Sequence, residues 1–309
     1  MGFASSNRTA IRRVSEVTLG TTPATPDLTE VRYTGEGINY NIETVQSKEI
    51  RSDRMIADLI QTQSDAAGNI DFELSAVAFD DFMEAAMAKA WATDVLKNGT
   101  DLLSFTIQKH IQDATTPAFI NFTGACIDTM GLNFAVGSPL TGSFGIKALA
   151  AAVTETQITG ATLFDAPTND VLNAVSNVVE IKEDGVISTS KFKSITIDLS
   201  NNIRAQDAIG SLVHIGMVLG QVNITGNISI YFEDKAMLDR FINNTSFSIS
   251  FKVQDTAGNT YTFFIPSAKF QSGTVVSGGL DTDIMYDGTW TALYDSSEDT
   301  MMTITRVAV

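Results

Sequence analysis

A short run of alternating apolar residues, written twice, constrains this chain more than any other feature. Gly68-Asn69-Ile70-Asp71-Phe72-Glu73-Leu74 recurs as Gly226-Asn227-Ile228-Ser229-Ile230-Tyr231-Phe232, an offset of 158 with the apolar positions matched. A period of two marks a half-buried strand in both places. A repeat has to be read first, because it sets the unit that folds. In each copy a helical pattern follows: Phe79, Phe82, Met83, Ala86, Met87, Ala90 and Trp91, then Met237, Leu238, Phe241 and Ile242. Spacings of three and four residues put these side chains on one helix face.

The correspondence continues. Leu103-Ser104-Phe105-Thr106-Ile107 answers Phe247-Ser248-Ile249-Ser250-Phe251, and Phe119-Ile120-Asn121-Phe122 answers Tyr261-Thr262-Phe263-Phe264-Ile265. Between them stand turn-forming segments, Gln112 to Pro117 and Asp255 to Asn259. Each copy closes on a strand, Ser143 to Leu149 or Thr289 to Tyr294, and is preceded by one, Ile38 to Ile42 or Ile195 to Leu199. Many short strands with one helix per half predict a mainly β chain of two tandem related β-sandwich or barrel domains, each with one flanking α-helix. The expected division is an N-terminal arm at 1–30, a first β-domain at 31–150, a linker at 151–175 and a second β-domain at 176–309. Glu183-Asp184-Gly185 predicts a tight hairpin opening the second half.

Composition narrows the chemistry. Of 309 residues 36 are acidic and 20 basic, a net charge of −16, which repels phosphate backbones and disfavours a general nucleic-acid binder. One cysteine, Cys126, excludes an internal disulfide, and two histidines, His110 and His214, leave most zinc layouts short of ligands. The first residues lack the apolar core of a secretory signal, so the mature protein is expected to begin there. Ile209 to Val222 is too short and too glycine-rich for a membrane helix, which needs about 20 apolar residues.

Catalytic constellations are poorly represented. Cys126 lies in strand-like sequence, where a lone cysteine behaves as a small buried hydrophobe. The carboxylate pairs Asp80-Asp81, Glu183-Asp184 and Glu298-Asp299 stand where helix starts and loops use them for capping and solubility. No phosphate-cradling glycine motif occurs, and Asp281-Thr282-Asp283 lacks the later residues of a calcium loop. Neither enzyme, cofactor nor metal is expected.

The segment Asn7-Arg8-Thr9-Ala10-Ile11-Arg12-Arg13-Val14-Ser15-Glu16-Val17-Thr18-Leu19-Gly20-Thr21-Thr22-Pro23-Ala24-Thr25-Pro26 resembles the start of bacteriophage tail tube proteins of long-tailed phages. Ser47-Lys48-Glu49-Ile50-Arg51-Ser52-Asp53-Arg54, the Gly68 strand, Leu103 to Lys109 and Phe264-Ile265-Pro266 are similar to the same family, so the likeness runs through nearly the whole chain. It implies a virion structural protein, made in the host cytoplasm, that forms stacked rings around a tape-measure protein. Tail terminator and distal tail proteins would be further partners, genomic DNA would meet the tube only in transit, and no membrane is involved. Rings of six β-domains make a two-domain subunit a homotrimer with pseudo-sixfold symmetry, a hexamer being the alternative. Strands of neighbouring subunits would continue one sheet.

The lead from Leu19 to Leu28 and the loop from Glu43 to Ala67 are long for compact-domain connections. Both are expected to touch the adjacent ring, with Arg12, Arg13, Arg51, Asp53, Arg54 and Asp58 as candidate inter-ring contacts. Asp71 and Glu73 alternate with core-facing residues and are candidates for an acidic lumen. Three subunits of −16 would give a ring about −48. The competing expectation is a β-sandwich adhesin or carbohydrate-binding module, with a tail-associated glycosidase behind it.

Overall fold

The computed structural model describes residues 5–112 and 116–307. The first half runs β1 (Thr9–Ser15), β2 (Asp27–Glu30), β3 (Gly35–Glu36), β4 (Asn39–Gln46), β5 (Leu59–Glu73), α1 (Asp80–Ala86), β6 (Val95–Lys97), β7 (Phe105–Ile111), β8 (Ala118–Ala135), β9 (Thr141–Ala148), β10 (Ala150–Thr154) and β11 (Thr162–Phe164). The second runs β12 (Val178–Glu183), β13 (Val186–Ile187), β14 (Phe192–Ser200), β15 (Arg204–Gln206), β16 (Gly216–Val218), β17 (Asn223–Tyr231), α2 (Ala236–Ile242), β18 (Phe247–Gln254), β19 (Thr260–Val276), β20 (Met285–Ala292) and β21 (Thr303–Val307). The chain is mainly β, as expected.

Four strands of each half pair antiparallel and in one order. The first forms β4–β5–β9–β8, with β3 also on β5, and the second forms β14–β17–β20–β19. Strands β8 and β19 are long enough to serve two sheets. The leading part of β8 pairs with β7 and β10, and that of β19 pairs with β18 and β21. Each breaks register near its middle, between Ile127 and Thr129 in β8 and between Phe270 and Ser272 in β19. One unpaired residue there bends the strand from one sheet layer into the other. Helix α1 packs on β8 and α2 on β19, sealing apolar side chains between the layers.

Several expected boundaries differ. The N-terminal segment contributes β1 to the sheet, paired with β7 from Thr9 to Ser15, because Ala10 and Ile11 have a core to enter. The stretch 151–175 is built in as well: β10 lies along β8 and β11 pairs parallel with β2. The segment Glu43 to Ala67 is mostly a β4–β5 hairpin with its loop at residues 47–58; its polar sequence hid the strands. Helix α1 stops at Ala86, since Ala88 takes a left-handed φ of 52° and the chain turns away. Asp113, Ala114 and Thr115 of the first expected turn lie outside the described residues. The second turn closes as expected, with Asn259 donating its backbone N–H to the Asp255 carboxylate at 2.8 Å.

Two expected matches are offset by two residues: Ile38 with Ile195, and 103–107 with 247–251, since Phe105 and Ile107 stand on β8 as Phe247 and Ile249 stand on β19. Glu36 pairs with Ile70, and Ile195 pairs with Ile228, so Ile38 stands where Ile197 stands. A slip of two leaves every side chain on its original face, so the hydrophobic pattern alone cannot detect it.

The halves do not stand apart. Strand β14 pairs with β8 over Ser194–Ser200, and β21 pairs with β6. One cluster of buried apolar residues includes side chains of both halves. A second tie joins α1 to the last strands. The Tyr261 hydroxyl donates to the Asp80 carboxylate and accepts the Val77 N–H, while Arg306 reaches Asp80 at 2.5 Å and stacks 4.4 Å above Trp91.

Candidate assembly surfaces

Pairing β14 onto β8 joins the two four-strand sets into one antiparallel sheet, β4–β5–β9–β8–β14–β17–β20–β19. Its inner face carries Ile70, Phe72, Phe144, Ile197, Ile228, Tyr286 and Trp290, all buried. Alternation therefore fixes what the other face carries. Following the register across the strands, one row reads Glu73, Thr141, Asn133, Thr196, Asn227, Thr289, Ser272. The next reads Asp71, Ser143, Gly131, Asp198, Thr225, Thr291, Lys269. A third holds Ser194, Ser229, Asp287 and Thr274. These rows are hydroxyls, amides and carboxylates, with Lys269 their cation and no aromatic among them.

Asp71 and Glu73, the lumen candidates, lie on this face. Asp198 and Asp287 share it and were not singled out from sequence. Their alternation was legible, but which strand neighbours which was not. Asp71 and Asp198 border one shallow groove with Asn133, Ser143 and Thr196. Partial burial raises the Asp198 carboxyl above the usual range, against a hydrogen bond from Thr196.

The second surface is a pair of arms. The β4–β5 hairpin exposes Ile42, Val45, Leu59 and Ile60, and its loop exposes Ile50, Met55 and Ile56. Of the inter-ring candidates, Arg51, Asp53, Arg54 and Asp58 sit together on this exposed loop, where Arg51 pairs with Asp53 at 2.6 Å. Arg12 and Arg13 lie elsewhere. Arg13 is buried, bound to Asp81 at 2.5 Å over the Phe82 ring, and Arg12 pairs with Glu30 at 3.1 Å. A strand position whose side chain enters the core cannot serve a rim, so Arg13 is withdrawn as an inter-ring contact, while Arg12, on the opposite face of β1, is partly buried in its pair with Glu30. The β15–β16 arm folds against the base of the first. His214 contacts Asp207 at 2.6 Å and Asp65 at 3.5 Å, and the Ser64 N–H donates to the Leu212 carbonyl.

Other titratable groups singled out from the sequence sit in packing or ion-pair contacts. Cys126 is buried, and burial, with Glu16 and Asp128 nearby, pushes its thiol up to about 12. His110 stacks 4.1 Å from Phe119, and burial, then Arg12, lowers its pKa. Asp80, Asp81, Glu183 and Asp184 are bound to Arg306, Arg13 or Arg240. Among the described residues no group of His, Cys, Asp and Glu could hold a metal ion, and no helix is long and apolar enough to cross a membrane.

A family model described as phage tail tube protein matches residues 6–292 of the chain. No curated protein matches it.

Proposed function

The chain belongs to the phage tail tube family, virion structural proteins that assemble with themselves into a tube, and from that premise we propose how this subunit builds one. Subunits close into rings, the rings stack, and the bore conducts the genome during ejection. The two halves are related copies of one β-domain, so three subunits supply six domains, with a hexamer as the alternative ring. The tape-measure protein fills the bore before ejection, and the tail terminator and distal tail proteins cap its ends. The chain carries out no catalysis.

The observation that carries this reading is the eight-strand sheet whose outward rows are polar and acidic, with Tyr231 standing beyond them at the end of β17. Curved around an axis, that face lines the bore, where Asp71, Glu73, Asp198 and Asp287 repel the DNA backbone and leave it free to slide. The loop 47–58, with Ile50, Met55 and Ile56 beside Arg51, Asp53, Arg54 and Asp58, reaches the next ring; so large an exposed apolar set is the mark of a contact surface. An adhesin or carbohydrate-binding module is the weaker reading, because it would present clustered aromatic rings to its ligand, and the rows traced across this face hold none, Tyr231 standing one row beyond them at the end of β17.

Negative-stain microscopy of the purified full chain tests the proposal. Rings or tubes with a central hole are expected, and replacing 49–56 by a short turn should leave rings that do not stack. Persistent monomers that bind glycans would overturn it.

A further inference from the structure

The structure carries its own template for how one copy meets the next. Within the chain, the trailing part of β8 accepts β14 as an antiparallel neighbour: Ser200 pairs with Thr129, Asp198 with Gly131, Ile197 with Leu132 and Ser194 with Ala135. The two strands at this junction have counterparts elsewhere. Strand β19 stands to β20 as β8 stands to β9, residue for residue and through the same bulge, so that Thr129 corresponds to Ser272 and Leu132 to Val275. The segment from β3 into β4 stands to β5 as β14 stands to β17, so that Gly35 corresponds to Ser194 and Asn41 to Ser200. Among the described residues, neither counterpart edge has a strand beside it.

We propose that the β4 edge of one copy pairs antiparallel with the trailing β19 edge of the next, in the register of the internal β14–β8 junction. This places Gly37 opposite Val276, Ile38 opposite Val275, Asn39 opposite Thr274, Tyr40 opposite Gly273 and Asn41 opposite Ser272. The inference rests on the tube reading and names the residues that join its subunits.

Three observations support this occupant. First, the β19 edge, Gln271-Ser272-Gly273-Thr274-Val275-Val276, has neither charge nor proline, and Val276 is 61% exposed. Such an edge invites pairing, and natural edges left free are normally blunted. Second, β14 is continuous through Thr196 and Ile197, whereas the corresponding Gly37 and Ile38 interrupt β3 and β4. The interruption lies where the new neighbour would sit. Third, the arms repeat the complementarity. In the internal junction Met217 of the second arm clusters with Leu149, the residue after β9. Their counterparts by the same register, Leu59 and Leu293, are 57% and 38% exposed. Each lacks the cover that the junction would give it. The contact joins unlike edges, so it propagates head to tail and closes into a ring or continues as a helix.

Cross-linking of assembled full-length protein tests the register. Asn39→Cys combined with Thr274→Cys is expected, after oxidation with copper phenanthroline, to give covalent oligomers up to ring size on a non-reducing gel. Mixing the two single variants should stop at covalent dimers. Glu43→Cys with Thr274→Cys, four residues out of register and beyond disulfide reach, should give less by about tenfold or more. Cys126 is buried and stays silent. All three positions are exposed, so folding is not at stake. Equal cross-linking of the offset pair, or self-linking of Asn39→Cys alone, which would mean β4 on β4, overturns the proposal. Rings or tubes that form without any cross-link overturn the pairing and leave the tube reading standing. Failure of the unmodified chain to form rings at all overturns both.

Discussion

At the residue scale, two glycines show how the backbone dictates sequence. A Cβ on Gly68 would lie 2.2 Å from the Gly37 carbonyl oxygen, and one on Gly226 would lie 2.1 Å from that of Thr196. Gly37 and Thr196 hold corresponding positions in the two halves, so both copies of the repeated strand need the same close approach. Backbone cannot yield as a side chain tip does. Gly68→Ala and Gly226→Ala should each cost about 3 kcal/mol in urea unfolding. Gly279→Ala, where a Cβ meets nothing within 4 Å, should stay within about 0.5 kcal/mol of the parent. Asp255 offers a pH-dependent counterpart. Burial pushes its carboxyl up, but hydrogen bonds from the Asn259 side chain and from backbone N–H groups of the turn outweigh it and hold the group below its ordinary value. A depressed acid stabilises the fold above the unfolded value, near ~3.9, and that contribution fades as pH falls through the folded value. Asp255→Asn should therefore lower stability at neutral pH and lose less of it on acidification; a melting temperature followed from pH 7 downward would show parallel curves if this is wrong.

At the element scale, the clasp of Asp80, Tyr261 and Arg306 holds helix α1 against β19 and β21, and with the β14–β8 and β6–β21 pairings ties the two halves together, so that they should unfold as one body. Asp80→Ala leaves the Arg306 guanidinium and the Tyr261 hydroxyl without their shared acceptor, at a cost of about 3 kcal/mol. Tyr261→Phe removes the acceptor of the Val77 N–H and the donor to Asp80, for about 2 kcal/mol. Urea unfolding followed by tryptophan fluorescence and by circular dichroism should give coincident single transitions for the parent chain. Separate transitions would mean that the halves unfold independently. The sequence made most elements legible, because Ile70, Phe72, Ile249 and Phe263 announce their strands by alternation. It left β1, β10 and β11 outside the expected domains, since two or three apolar residues beside Arg12, Arg13 or Thr162 in β1 and β11, and an unbroken run of alanines in β10, carry too little periodicity to separate an edge strand from an arm. The order of strands, and so the company Asp71 keeps with Asp198 and Asp287, depends on pairings between residues far apart in the chain, which no local pattern encodes. Equivalent positions can also trade charge. Arg13 on β1 and Glu183 on β12 face Ile107 and Ile249 in the same register, and each is tied to the helix of its half, Arg13 to Asp81 and Glu183 to Arg240.

At the scale of the whole molecule, the net charge of −16 acquires a location. Carboxylates Asp71, Asp198 and Asp287 stand on the solvent face of the continuous sheet without ion-pair partners among the described residues, whereas Asp80, Asp81, Glu183 and Asp184 are neutralised elsewhere by arginines. If that face lines the bore, its charge is what a passing duplex meets. Exchanging Asp71, Asp198 and Asp287 together for Lys reverses the local field without touching the buried face. Tubes of this variant should retain short duplex DNA in cosedimentation at about 50 mM salt and release most of it at about 200 mM, since binding driven by counterion release falls steeply with ionic strength. Tubes of the parent chain should retain none at either concentration. The site of retention decides the geometry. Density for duplex inside the bore, seen by electron microscopy of the loaded variant tubes, places these rows on the lumen. Duplex coating the outer wall would place the acidic face outside and leave the bore to the opposite layer of each sandwich.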